Sequence, residues 1–239
     1  MTPPSVVLHD GFSVVRDDLF PGGTKARFFP LLFSGADEVV YASPAEGGAQ
    51  TALAYSAKRL GKRATIFVAK RLEPHPRALM AKALGARVFQ VSPGYLNVVQ
   101  ARAASYASAN SAKLLQFGAN MPEAIEAIAQ AARATGLDPD EVWCASGSGV
   151  LTRALAQAWP RAARHAVQVG RELSSDDVAG ATVHVHPLPF SRTCKSLPPF
   201  PSDPHYDAKA WEIAKARRGP GSAVFWNVTG PATLEPQSQ

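Results

Sequence analysis

The sequence predicts an α/β fold with mostly parallel sheets covered by helices on both faces. Two observations carry this. Short apolar runs alternate with alanine-rich stretches of helical spacing, and the connections between them are short. Glycines stand just past the helical stretches, where left-handed backbone ends a helix: Gly61, Gly85 and Gly136. With 239 residues, of which 46% are hydrophobic and 18% charged, the chain can build one compact unit or two small lobes.

Residues 39–42 read as a strand, 50–60 as a helix ended by Gly61, and 64–69 (ATIFVA) as a buried strand. A helix over 75–84, a strand over 87–91, a helix over 96–108 and a short strand over 114–117 follow. Asn120 as cap and Pro122 in the first turn open a helix over 121–135. A strand over 141–145 runs directly into Ser146-Gly147-Ser148-Gly149 and a helix over 150–159. The proline-rich segment 187–204 reads as a long irregular loop of the kind that covers or binds a ligand. A helix over 207–217 and a strand over 223–228 come last, and the polar tail after Gly230 reads as frayed.

No run of about 18 apolar residues exists, so no membrane span is expected. The first ten residues lack the basic-then-apolar pattern of a secretory signal. Cys144 and Cys194 are the only cysteines and stand far apart, which suits a reducing compartment and gives no disulfide framework. A cytoplasmic protein is the expectation. The net charge of +6 and pI of about 9.5 favour polyanionic partners such as nucleic acid. The cations are scattered, however, at the ends of expected helices (Lys58 and Arg59, Lys215 and Arg217), where they suit the helix dipole with no partner at all.

Three segments could carry chemistry. In Gly22-Gly23-Thr24-Lys25, paired glycines admit a ligand to the backbone and a desolvated lysine can act as a nucleophile. Taken alone, a glycine turn with a surface lysine explains it better. The Ser146-Gly147-Ser148-Gly149 turn offers backbone N–H groups at a helix N-terminus, a combination that binds phosphate. It is neither a Walker loop nor a dinucleotide fingerprint. The third, Ser43-Pro44-Ala45-Glu46-Gly47-Gly48-Ala49-Gln50, also joins a strand to a helix and is weak by itself.

Val15-Arg16-Asp17-Asp18-Leu19, followed by Gly22-Gly23-Thr24-Lys25-Ala26-Arg27, resembles the entry segment of fold-type II pyridoxal-phosphate enzymes. These are the tryptophan synthase beta-like enzymes, and the nearest look-alikes are the aminocyclopropane-carboxylate deaminase and D-cysteine desulfhydrase group. The likeness continues in order through Ala54-Tyr55-Ser56-Ala57-Lys58-Arg59-Leu60-Gly61, Leu84-Gly85-Ala86-Arg87-Val88, the 146–149 turn and Thr229-Gly230. It implies two three-layer αβα lobes: a larger cofactor-binding lobe of residues 1–42 and 116–239, and a smaller one of 43–115. It implies that Lys25 holds pyridoxal 5'-phosphate as a Schiff base and shuttles protons. Ser146, Gly147, Ser148, Gly149 and Val150 would hold the phosphate, and Thr229 would face the pyridine nitrogen. The chain is shorter than typical members. Gly48 stands where the family often has an asparagine beside the phenolic oxygen, and Thr24 replaces the asparagine of Gly-Gly-Asn-Lys. Glu46 and Gln50 are therefore the candidates on the substrate side.

A narrower likeness joins His205-Tyr206-Asp207-Ala208-Lys209-Ala210-Trp211 and Phe225-Trp226-Asn227-Val228-Thr229-Gly230 to short phage-type pyridoxal enzymes linked to thymine hypermodification. It implies a lyase that decarboxylates an amino acid attached to thymine in DNA, working in a host cytoplasm and pairing as a homodimer. His205 would then bind substrate. Tyr206 would be a substrate-side acid, with an aromatic contact as the equal alternative. The rival functions are β-elimination or deamination of a small free amino acid, and a non-catalytic binding module on a degenerate scaffold. No metal is expected: His184 and His186 alternate and could join Cys194 or His205, but the spacing matches no usual zinc pattern.

Overall fold

The computed structural model describes residues 3–232, so most of the tail read as frayed, 233–239, lies outside it. The strands are β1 (Val6–His9), β2 (Phe12–Arg16), β3 (Glu38–Ser43), β4 (Arg63–Ala69), β5 (Arg87–Val91), β6 (Lys113–Leu115), β7 (Glu141–Ser146), β8 (Ala163–Gln168), β9 (Thr182–Val185) and β10 (Ala223–Asn227). The helices are α1 (Phe29–Leu32), α2 (Ala49–Leu60), α3 (Pro76–Ala83), α4 (Leu96–Ala109), α5 (Pro122–Arg133), α6 (Val150–Ala158), α7 (Ser175–Val178) and α8 (Asp207–Arg217). The expected α/β class with mostly parallel sheets is what the chain adopts.

The chain divides into two compact units. One holds the residues up to 19 together with 120–231, and the other holds 20–119. The resemblance places 20–42 in the larger lobe, and the structure corrects this. β3 pairs in parallel with both β4 and β6, so the segment leading into it belongs to the second unit. The other boundary falls at 119/120 in place of 115/116.

In the first unit the sheet order is β1-β2-β10-β7-β8-β9, parallel except for the β1–β2 hairpin. The hairpin, not foreseen, turns at Asp10-Gly11, where both residues have positive φ (50° and 80°), the backbone that an Asp-Gly turn supplies. β8 was also not foreseen, β9 falls at the alternating His184 and His186, and the helix over 121–135 starts at Pro122 with Met121, not Asn120, as its cap. The core lies between the sheet and α8. Trp211 meets Phe200 and Phe225 edge-on at 5.0 and 5.1 Å and lies tilted against Phe12 at 5.0 Å.

In the second unit the order is β5-β4-β3-β6, all parallel. α4 lays Val99, Ala103 and Ala107 against Val40, Ala42 and Phe67. No helix among the described residues is long and apolar enough to cross a membrane.

Trp211 is 2% exposed at the centre of the first unit's core. Trp211→Ala is expected to cost about 3–5 kcal/mol, because the cavity cannot close around three rigid rings. The midpoint of urea unfolding measures it.

Candidate functional site

In the first unit, β7 is fully buried and ends at Ser146, and α6 begins at Val150. The chain reverses within four residues because Gly149 adopts φ 76°. A side chain there would collide with α7: a β-carbon at Gly149 would lie 2.5 Å from the Asp177 carbonyl oxygen. Among the described residues no side chain caps the N-terminus of α6. Its first-turn N–H groups and its dipole therefore face whatever occupies the turn. Ser146 points elsewhere, its Oγ accepting from Thr152 Oγ1 at 2.9 Å.

Tyr206 braces this turn. Its hydroxyl donates to the Ala145 carbonyl at 3.2 Å, and a β-carbon on Gly147 would lie 3.4 Å from it. Burial foremost, then the neighbouring Asp207, pushes the phenol well above its ordinary range, so it stays protonated. His205 is held by its surroundings: its backbone N–H donates to Asp203 Oδ1 at 2.7 Å, and Nδ1, 3.0 Å from the Phe190 carbonyl, must carry a proton to bond it. Thr229 is nearly buried, and its backbone N–H donates to Asp207 Oδ2 at 3.1 Å.

Asp207 is the residue that sequence reasoning missed. It is fully buried, and its Oδ1 has no hydrogen-bond partner among the described residues. Burial above all, with the charges of Asp203 and Asp18, raises its carboxyl well above the usual range. Its place at the start of α8, directly after Tyr206, was the one signal in the sequence.

In the second unit, Lys25 sits half-buried in a short 3-10 helix, Gly23–Arg27. Gly22, at φ 89°, lets this segment lie against α2: a β-carbon there would be 2.2 Å from the Ala52 Cα. The start of α2, with Gly48 as N-cap, also has no side-chain cap. Gln50 closes the preceding loop, donating to the Pro44 and Ala45 carbonyls at 2.9 Å each, while its buried Oε1 has no hydrogen-bond partner among the described residues. A β-carbon on Gly47 would meet Ser43 Oγ at 2.7 Å. Glu46 pairs with Arg71.

The structure thus groups Ser146, Gly147, Ser148, Gly149, Val150, Tyr206, His205 and Thr229 in the first unit and Lys25, Glu46, Gly48 and Gln50 in the second. Pyridoxal phosphate demands an amine and an anion cradle. Taken separately, the first unit has uncapped amides at a glycine turn and the second a lysine on a 3-10 helix, each of the donor kind that the group requires.

Comparison with known proteins shows the cofactor class. The family model described as pyridoxal-phosphate dependent enzyme matches residues 23–224. No curated protein matches the sequence. Among solved structures, an ACC deaminase homologue superposes with a TM-score of 0.78 at 17% identity, covering 96% of this chain and 90% of that one. The processed form of threonine deaminase isoform 2 from Solanum lycopersicum gives 0.73 at 15%, covering 97% and 80%. Diaminopropionate ammonia lyase from Escherichia coli, in apo form, gives 0.70 at 14%, covering 98% and 84%.

Two outcomes test the geometry. Gly22→Ala forces a side chain into the α2 backbone at a left-handed position and is expected to cost about 2–4 kcal/mol in urea unfolding. Asp207 holds a proton in the folded state that it loses when unfolded above its ordinary pKa of 3.8. Its contribution is therefore complete below that pH and declines as pH rises toward the folded value. Asp207→Asn, which keeps the acceptor for the Thr229 amide, is expected to flatten this decline; unfolding free energies across a pH series measure it.

Proposed function

Because the chain belongs to the pyridoxal-phosphate dependent enzyme family, we propose that it is a lyase for amino acids, with β-elimination or deamination of a small free amino acid as its reaction. Lys25 would carry the cofactor, and the amides at 147–150 would hold its phosphate. The observation that carries the reaction type is the uncapped N-terminus of α2 behind the Gly47-Gly48 turn. Helix-terminal amides there stabilise a substrate carboxylate. A carboxylate so held is the wrong group to lose, since its charge would have to leave the amides that favour it. The solved relatives, deaminases and an ammonia lyase, point the same way.

The bound cofactor supplies an electron sink for the bond broken at the substrate α-carbon. The protein does the rest. Lys25 Nζ takes the proton from the α-carbon, and the α2 amides fix the orientation that exposes that proton. Gly149 gives the phosphate access to the α6 amides, and Tyr206 steadies the turn from behind through the Ala145 carbonyl. Tyr206 serves here as a positioning residue in place of the acid expected from its sequence context. Thr229, its amide held by Asp207, offers a hydroxyl for the ring nitrogen without imposing a negative charge there.

A second reading, decarboxylation of an amino acid carried on thymine in DNA, rests on the +6 charge and on the phage-type likeness of segments 205–211 and 225–230.

Purified protein supplied with pyridoxal phosphate is expected to show a visible absorption band that Lys25→Ala abolishes; a wild type without the band ends both readings. Ammonia and a keto acid released from threonine or diaminopropionate support elimination. Carbon dioxide released only from DNA bearing amino-acid-modified thymine would replace it with the second reading.

A further inference from the structure

Away from the turn, three elements of the first unit converge on another set of donors. His186 follows β9, Cys194 lies in the irregular segment before α8, and Glu212 is on α8. One ligand atom from each lies within 4.8 Å of the others. The histidine and cysteine are 6% and 4% exposed, whereas Glu212 reaches solvent. The Leu188 N–H donates to His186 Nδ1 at 3.1 Å, while Nε2 is buried with no hydrogen-bond partner among the described residues. The Cys194 thiol donates to Glu212 Oε2 at 3.0 Å.

We propose that His186, Cys194 and Glu212 form a zinc site that fastens the 187–204 segment to α8. A thiolate, an imidazole and a carboxylate are a borderline-soft donor set suited to Zn²⁺. Zinc bonds of about 2.0–2.3 Å place donors roughly 3.5 Å apart, so the cluster contracts by only about 1 Å to receive the ion. The charges balance: Zn²⁺ replaces the Cys194 proton, which leaves to solvent, and thiolate plus carboxylate neutralise the ion. Without the ion, the Cys194 sulfur and the Glu212 carboxylate share one proton where they could share a cation. Lys209 is the opposing charge. Its ammonium is committed to the Pro189 carbonyl at 2.7 Å and to that of Leu188 at 3.5 Å. Ligation at Nε2 moves the ring proton to Nδ1 and costs the Leu188 amide contact, in a segment with no strand or helix to resist the adjustment. Water fills the fourth position through the exposed Glu212 side. The inference is independent of the cofactor reading, because no residue of the turn or of the Lys25 segment takes part.

The test uses the whole protein, with its cofactor, washed with chelator and titrated with Zn²⁺ and, as a spectroscopic probe, Co²⁺. One ion per chain is expected. Cobalt should show intense ligand-field bands in the red, clear of cofactor absorption, that mark thiolate ligation. Cys194→Ser should remove the bands, and Glu212→Gln, an exposed change that leaves the core untouched, should weaken affinity about tenfold or more. Cys144→Ser, at the only other cysteine, should leave binding intact. Substoichiometric binding by wild type, or binding unchanged in both Cys194→Ser and Glu212→Gln, overturns the site. Should Cys194→Ser fail to fold, the Glu212→Gln titration alone decides.

Discussion

The strand-to-helix reversal after β7 is the constraint on which the first unit depends. β7 is an inner strand, paired on both sides, so its end cannot drift. The helix that follows must start at once, and only a glycine at residue 149 permits that against the Asp177 backbone. A capping side chain would have satisfied the first amides of α6; none does, and the positive end of the dipole is left for a ligand. Tyr206 and Asp207, at the junction into α8, then tie the turn and the end of β10 to the same helix start.

The second unit repeats this economy with different parts. Its lysine is placed by backbone contact: the missing side chain at Gly22 lets the 3-10 segment touch α2. The helix that Lys25 leans on is also the helix whose uncapped start follows Gly47-Gly48. A single contact thus sets both the lysine segment and the helix whose uncapped start follows the Gly47-Gly48 turn.

Much of this was legible in the sequence. The β7–turn–α6 unit stood out because a continuous apolar run met two glycines and then a helical pattern. Lys25 did not stand out by spacing; ordered likeness to a family was needed, since a glycine pair before a lysine is also an ordinary turn. β8 (ARHAVQ) was missed because it is only partly covered, and its polar residues break the apolar signal. The assignment of residues 20–42 was missed because strand order within a sheet is a long-range property that local pattern does not carry. Asp207 looked like an ordinary acidic residue in a first helical turn; its complete burial comes from packing alone.

The pairing of β2 with β10 has a consequence for synthesis. The second strand and β10 are neighbours in one sheet although more than two hundred residues of sequence separate them. While residues 20–119 emerge from the ribosome as an unbroken stretch able to complete their own sheet, β2 must wait with one side unsatisfied until residues 223–227 have been made. During that interval the β1–β2 hairpin presents an open edge to any neighbouring chain, and a nascent protein truncated before residue 223 would never cover it.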